Sequence, residues 1–183
     1  MNTLIANRWS PRAFENKEIV QEDLDLIFKA AGKAPSAFNA QPWKFIVGDK
    51  FKNKETYEKI LNILVEANQK WAIQAPVLIL TIAEVVSPHN GKENSTAIYD
   101  LGGSVAYLSL QAMELGIYTH QMSGLDSKKA EKVFNVDASH RVITAVALGY
   151  LGDKSTLPEP FAEKETPESS RKLIEAIRFT SGF

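Results

Sequence analysis

Cysteine is absent from this sequence of 183 residues, which excludes disulfides, thiol nucleophiles and thiolate metal sites and suits a reducing compartment. An excess of charge of one sign is also lacking, because 21 Lys and Arg residues accompany 22 Asp and Glu residues. No basic stripe indicates a nucleic-acid partner, so we expect none. The three histidines, His89, His120 and His140, match no metal-ligand spacing, and we therefore expect no metal site.

Long apolar runs are missing as well. The longest, around Pro76 to Leu80, is far too short to cross a bilayer. The first residues lack the basic and apolar segments of a signal peptide. We therefore expect no membrane partner and a cytoplasmic location. The length and the ordinary apolar fraction of 44% predict one globular domain over residues 1–183.

Motifs of several common enzyme folds do not occur. The sequence has no G-x-G-x-x-G after a strand, no G-x-x-x-x-G-K-[ST], no G-x-S-x-G and no H-E-x-x-H. These absences disfavour a Rossmann dehydrogenase and a P-loop enzyme.

Helical and strand-like patterns alternate along the chain, which predicts a layered α/β or α+β domain. The predicted helices cover residues 18–32, 51–64, 66–74, 94–116 and 127–134, and the predicted strands cover residues 43–47, 77–83, 117–121 and 141–150. Beyond Gly152, three prolines among charged residues predict an extended arm that leads into an amphipathic helix over residues 169–178. Such a tail is a poor independent domain and needs a surface to pack on, such as that of a partner subunit.

The loop from Ala34 to Phe45 is the most unusual stretch of the sequence. Its two prolines fix φ and push the residues before them, Ala34 and Gln41, toward extended conformations. A rigid loop that displays Ser36 and Asn39 suits a binding site. The same side chains suit a capped turn in which they bond nearby backbone groups. Both interpretations stay open on local chemistry alone.

Three other features also allow two interpretations each. Arg8 and Arg12 carry forked donors that suit a phosphate or a carboxylate, but they also suit a solvated surface. In the longest predicted helix, Gly102 and Gly103 destabilise the helix interior, which indicates close approach by another helix of this chain or of a second subunit. Asp100 beside them is a candidate for catalysis or for a hydrogen bond at the edge of the core.

Motifs in several parts of the chain occur in the order found in a known family. They are Arg8-x-Ser10-x-Arg12-x-Phe14, Ala34-Pro35-Ser36-x-x-Asn39-x-Gln41-Pro42-Trp43, Asn68 ahead of Ala75-Pro76, Asp100-Leu101-Gly102, Ser123-Gly124-x-Asp126 and Ala147-Leu148-Gly149-Tyr150. On these residues the sequence resembles the nitroreductase family of FMN-dependent NAD(P)H oxidoreductases. The resemblance implies an α+β fold, a three-layer sandwich whose mostly antiparallel central sheet is flanked by helices.

The resemblance also implies a homodimer with two FMN molecules at its interface. A C-terminal arm, about residues 153–183 with its helix, would be exchanged and would pack on the partner subunit. The flavin contacts that it implies are Arg8, Ser10 and Arg12 from one subunit, Pro35, Ser36, Ala37 and Asn39 from the other, and in addition Trp9, Asn68, Ser123, Gly124 and Arg171. Arg8, Ser10 and Arg171 would hold the phosphate side of the cofactor.

The remaining implied contacts surround the flavin ring. Arg12 would lie near the pyrimidine edge, Asn68 would bond the same ring, and Ser123-Gly124 would approach the N5/O4 edge by backbone. Because reduced FMN is negative near N1, a fixed arginine at that edge would stabilise it. The flavin would carry the chemistry, so we expect no catalytic side chain.

The function implied by the resemblance is a ping-pong oxidoreductase. NAD(P)H would reduce FMN and leave, and a nitroaromatic, quinone or related small acceptor would then take the electrons in the same slot. Two alternatives remain at this point: a flavin-binding carrier or sensor without significant turnover, and a structural or interaction domain without flavin.

Overall fold

The computed structural model describes residues 1–182, so Phe183, the last residue of the predicted domain and arm, lies outside the described residues. The α-helices are α1 (Thr3–Asn7), α2 (Gln21–Ala31), α3 (Lys54–Leu61), α4 (Glu66–Ala72), α5 (Ala97–Glu114) and α6 (Ser127–Val133). The β-strands are β1 (Trp43–Asp49), β2 (Val77–Glu84), β3 (Ile117–Met122) and β4 (His140–Tyr150). Within residues 1–182, none of the helices has both the length and the apolar character to cross a membrane.

The four strands form one antiparallel sheet in the order β1-β2-β4-β3. The run from Val77 to Ala83 in β2 is fully covered, with neighbouring strands on both sides and helices on both faces. This burial explains why the strand is apolar almost throughout instead of alternating. The prediction of an α+β fold with an antiparallel sheet flanked by helices is confirmed.

Side chains of alternate residues in the central strands divide the core into two layers. Leu78 and Leu80 point toward α3, α4 and α6 on one face. Val77 and Ile79 point toward α2 and α5 on the other. Leu24, Ile27 and Ala31 form an apolar stripe on α2 that is buried here. Ser104 of α5 donates to the carbonyl of Ala31 at the end of α2, at 3.0 Å.

Most predicted elements occur, but several begin or end a few residues away from the predicted bounds, and one helix was not predicted. The helix predicted over 51–64 begins only at Lys54, because the Asp49 carboxylate accepts the backbone N–H groups of Phe51 and Lys52 and holds a turn there. The short helix α1 was not predicted. Its N-cap is Asn2, whose side-chain oxygen accepts the N–H of Leu4 at 2.9 Å.

The C-terminal segment differs more from the prediction. The amphipathic helix over 169–178 is wrong, since only one 3₁₀ turn forms, at Ile174–Ala176. Leu173 and Ile177 are exposed, and a short helix without a buried apolar face is marginal in water. The earlier part of the arm packs on its own chain, where Leu157 and Glu165 are buried. Residues 166–182 are exposed.

Candidate functional site

The segment from Arg8 to Arg12 is held beside the edge of the sheet. The residues that follow it pair with the end of β4: the N–H of Glu15 bonds the carbonyl of Tyr150, and the N–H of Gly152 bonds the carbonyl of Ala13, both at 3.0 Å. The four candidate residues of this segment are thereby attached to a rigid scaffold rather than left on a free terminus.

A cavity of about 650 Å³ opens between this segment and the C-terminal residues. Arg8, Ser169, Arg171 and Lys172 provide its polar lining, and apolar residues such as Ile5 complete it. The nine described residues that line it include three cations and no acid. Arg8 donates to the Ser10 hydroxyl at 3.3 Å, and Arg171 donates to the Ser169 hydroxyl. Guanidinium and hydroxyl donors around a cavity fit a phosphate group.

His120 of β3 holds the segment from Arg8 to Arg12 through a contact with Pro11. Its Nδ1 lies 2.9 Å from the carbonyl oxygen of Pro11, and its ring packs against Trp71 with 4.4 Å between centroids. Burial lowers the pKa of His120, which favours the neutral ring at pH 7. A carbonyl only accepts, so Nδ1 carries the proton in this bond. His120 was not among the predicted site residues, because a lone histidine in a strand carries no sequence signal for this role.

Arg12 lies next to the arm. Its guanidinium Nη1 is 3.6 Å from the Glu165 carboxylate, and its carbon Cζ is 5.9 Å from the centroid of the Phe161 ring. The Arg12 side chain keeps 30% of its surface exposed, so it can still reach a ligand. Trp9 packs edge-on against the ring of Tyr118 at 6.3 Å, which gives this residue a structural partner in its own chain.

A second cluster joins the end of β3 to the start of α4. The carbonyl of Gly124 accepts the N–H of Val65 at 3.0 Å and the side-chain amide of Asn68 at 3.1 Å. A Cβ on Gly124 would lie only 2.7 Å from Asn68 Nδ2, so the backbone approaches this side chain as closely as glycine permits. The structure therefore brings Asn68 into contact with Gly124, while their predicted contact with a flavin stays a prediction.

The loop that carries Pro35, Ser36, Ala37 and Asn39 lies against the start of α5. The buried carboxylate of Asp100 accepts the N–H of Ala37 at 3.1 Å and the hydroxyl of Thr96 at the same distance. This confirms the interpretation of Asp100 as a residue that forms a hydrogen bond at the edge of the core. Its bond to Ala37 holds the loop in place.

Inside this loop the backbone is strained. Asn39 and Gln41 have φ values of 53° and 48°, in the left-handed region, and Phe38 has 54°. The expected extended conformation of Gln41 is therefore wrong. Its N–H donates to the Ser36 hydroxyl at 3.0 Å, and this bond stabilises the left-handed turn. Ser36 thus caps a turn, whereas Phe38 is 96% exposed and has few contacts in its own chain.

The two groups of predicted flavin contacts stay separate within one chain. Within residues 1–182, no hydrogen bond or ion pair joins the loop at 35–39 to the group formed by residues 8–12, 68, 123–124 and 171. Gly102 and Gly103 are also uncovered, because a Cβ built on either one meets nothing within 4 Å. The explanation of the glycine pair by another helix of this same chain is therefore wrong, and the explanation by a second subunit remains.

The residues present fit a bound FMN. The cationic cavity suits the phosphate, and Asn68 beside the Gly124 backbone offers amide and peptide groups of the kind that bond a polar ring. Lys172 and Glu165 were missed by the sequence analysis. Both lie among many charged residues of the C-terminal arm, where a lysine or a glutamate is normally solvated. Their contacts become visible only in the folded structure.

Comparisons with known proteins agree with this fit. The match to the Nitroreductase family covers residues 5–150. A solved oxidoreductase containing FMN has 35% sequence identity and a TM-score of 0.93, over 100% of this chain and 92% of that chain. An FMN-dependent nitroreductase from Clostridium difficile R20291 has 25% identity and a TM-score of 0.69, over 87% of this chain and 92% of that chain. Iodotyrosine deiodinase of Thermotoga neapolitana is 27% identical over 170 residues, which is 82% of this chain and 88% of that protein.

Proposed function

This chain belongs to the nitroreductase family, and from that premise we propose that it is an FMN-dependent oxidoreductase that acts as a homodimer. The observation that carries the proposal is the cavity between Arg8 and Arg171, whose cations and hydroxyls fit the phosphate of the cofactor. FMN, when bound, supplies the redox chemistry in a ping-pong cycle, taking two electrons from NAD(P)H and passing them to an oxidised small molecule such as a nitroaromatic or a quinone.

The protein's own part in this function is to bind and orient. Arg8, Arg171 and Lys172 neutralise the phosphate. Asn68 and the Gly124 backbone present an amide and peptide groups to the ring edge. Arg12 places a permanent positive charge near the ring, which favours any state in which the ring is anionic. No acid–base triad is needed for this work.

The second half of the site comes, in this proposal, from the loop at Pro35, Ser36, Ala37 and Asn39 of the partner subunit. Two observations support this arrangement. That loop shares no hydrogen bond with the phosphate-side group among the described residues of one chain, and its Phe38 side chain is almost fully exposed. The exposed segment 166–182 is the part of the arm that we expect to pack on the partner.

Reductive dehalogenation of an iodinated phenol is a second candidate function. It is favoured by the similarity to the iodotyrosine deiodinase, which extends over most of both chains. Such a reaction needs two electrons and one proton, and it releases the aromatic C–H compound and iodide. Iodide release from iodotyrosine, compared with consumption of a nitroaromatic or a quinone under the same anaerobic conditions, distinguishes the two acceptor classes.

A direct test begins with the visible spectrum of the purified protein, before and after reconstitution with FMN. Anaerobic titration with NADH and with NADPH then measures reduction, and addition of each acceptor measures turnover. Bleaching by a nicotinamide followed by recovery with an acceptor supports the proposal. Flavin binding without turnover would instead identify a carrier or sensor, and a protein that stays colourless with FMN would refute the proposal.

The phosphate assignment has its own matched pair of variants. Arg171→Ala removes a cation that lines the cavity, whereas Arg178→Ala removes one from the same exposed segment away from the lining. We expect Arg171→Ala to weaken FMN binding about tenfold or more while riboflavin binding is unchanged, because a charge-assisted bond to the phosphate is lost. Equal losses for both ligands, or for both variants, would contradict the assignment. Quenching of flavin fluorescence measures all four affinities.

A further inference from the structure

Glu165 is a buried carboxylate from the arm that holds two consecutive peptide groups of the N-terminal segment. Its Oε1 accepts the backbone N–H of Arg12 at 2.6 Å and that of Ala13 at 3.0 Å. Its side chain is only 3% exposed. These residues are more than 150 positions apart in sequence, so the contact is a specific tertiary one.

The other oxygen of this carboxylate faces Arg12. Among the described residues, Oε2 is buried and accepts no hydrogen bond, and the guanidinium Nη1 of Arg12 is 3.6 Å away. A buried carboxylate is costly unless it is paired, so Glu165 holds Arg12 by charge as well as by backbone bonds. Phe161, also in the arm, adds a ring contact to the same guanidinium.

We propose that Glu165 is a positioning residue for the flavin site, which fixes Arg12 so that its guanidinium faces the flavin ring, and that docking of residues 157–165 is required for tight flavin binding. This inference rests on the proposed function, since it takes Arg12 to lie at the flavin ring. It assigns a role to the first half of the arm, which packs on its own chain, separate from any exchange of residues 166–182.

The test compares Glu165→Ala and Glu165→Gln with Glu163→Ala, an exposed acid two residues earlier that serves as the control for charge and position. In the flavin-free protein, hydrogen exchange reports on the amides of Arg12 and Ala13. We expect both amides to exchange at least tenfold faster in Glu165→Ala and to be unchanged in Glu163→Ala. Glu165→Gln keeps an acceptor oxygen for these amides, so we expect it to restore most of their protection.

Flavin binding provides the second readout. We expect Glu165→Ala to weaken FMN and riboflavin by the same factor, about tenfold, because the misplaced group faces the ring and not the phosphate. In an Arg12→Ala background, Glu165→Ala should add less than a twofold further loss, since residues that act through one another are not additive. Thermal unfolding of each variant confirms that the fold is kept. If Glu165→Ala does not fold, Glu165→Gln carries the flavin test, because it loses the negative charge that faces Arg12 and should still weaken FMN and riboflavin equally.

Three results would overturn the inference: wild-type affinity in Glu165→Ala, a loss confined to FMN, or fully additive losses in the double variant. Failure of the proposed function looks different. In that case the wild-type protein and Glu163→Ala bind neither flavin, while the exchange of the Arg12 and Ala13 amides still reports on the contact with Glu165.

Discussion

Replacing Gly124 by alanine is a minimal change at the point where the end of β3 meets α4. The added methyl group would lie 2.7 Å from Asn68 Nδ2 and 2.9 Å from Val65 Cγ2. Both distances are well inside normal contact distance, so at least one neighbour must move. Asn68 is the easier one to move, because the contact is with the far end of its side chain.

The loss of stability can be estimated from the hydrogen bond that Asn68 loses when it moves. Its amide now donates to the carbonyl of Gly124 at 3.1 Å, and loss of that hydrogen bond costs about 1 kcal/mol. Crowding against Val65 adds about 1 kcal/mol, the lower end of the range for an overpacked site. We therefore expect Gly124→Ala to reduce the free energy of unfolding by about 2 kcal/mol. For a chain of this length that corresponds to a fall in Tm of about 4–8 °C.

The same displacement acts on the flavin site. If Asn68 bonds the flavin ring, moving its amide removes one ligand contact, and FMN affinity falls about tenfold. Thermal unfolding without FMN gives the first effect, and fluorescence titration gives the second. Gly182→Ala is the control, because a Cβ at that position meets nothing within 4 Å.

A Gly124→Ala variant with wild-type Tm would refute the packing argument. A variant with the expected fall in Tm but unchanged FMN affinity would leave the packing argument intact and would contradict the assignment of Asn68 to the flavin. The two measurements therefore judge the two steps separately.

Two further predictions concern His120, which bonds the carbonyl of Pro11, and the glycine pair on α5. Burial lowers the pKa of His120 below its ordinary value of 6.5, so the unfolded chain binds more protons than the folded one just below pH 6.5, and stability falls as pH drops through that window. His120→Asn, whose amide can still donate to Pro11, should flatten this part of the profile when urea unfolding is compared between pH 7.5 and pH 5. A Cβ built at Gly103 has open space around it, so we expect Gly103→Leu to give a folded protein that sediments as a monomer, and an unchanged dimer would remove α5 from the proposed interface.

The sheet could be predicted because burial leaves a direct mark on sequence. The run from Val77 to Ala83 is apolar because helices cover both faces of its strand, and a covered strand needs no polar alternation. The stripe in α2 is equally local, with Leu24 and Ile27 one turn apart and both buried. Such patterns depend only on neighbours in sequence, so one sequence is enough to read them.

The C-terminal segment shows where that reasoning fails. The spacing of Leu173, Ile174 and Ile177 has the period of a helix, but in one chain no surface covers these side chains, and they stay exposed in residues 166–182. A helical period predicts a helix only when something buries its apolar face. The prediction was wrong because that partner surface is not specified by the segment itself.

The prediction of an extended Gln41 before the first strand was wrong for a different reason. A proline at position 42 does favour an extended Gln41, but the Ser36 hydroxyl accepts the Gln41 N–H and stabilises another conformation. The bond spans five residues, so a rule about adjacent residues cannot detect it. The motif still identified the loop, although it did not determine its shape.

In the candidate site as well, residues close together in sequence could be predicted, whereas residues that contact them from distant parts of the chain could not. Arg8, Ser10 and Arg12 could be proposed from sequence because they lie close together in one motif. Glu165 and His120, which hold that motif in place, come from a distant arm and a distant strand. Binding groups at fixed spacing are visible in sequence, but the groups that fix their positions are visible only after folding. For this chain the consequence is specific. The carbonyl of Pro11 is held by β3 and the adjacent amides are held by the arm, so the position of Arg12, which we propose faces the flavin, depends on two distant elements of its own chain. We therefore expect a change in either element to alter flavin binding without contacting the ligand.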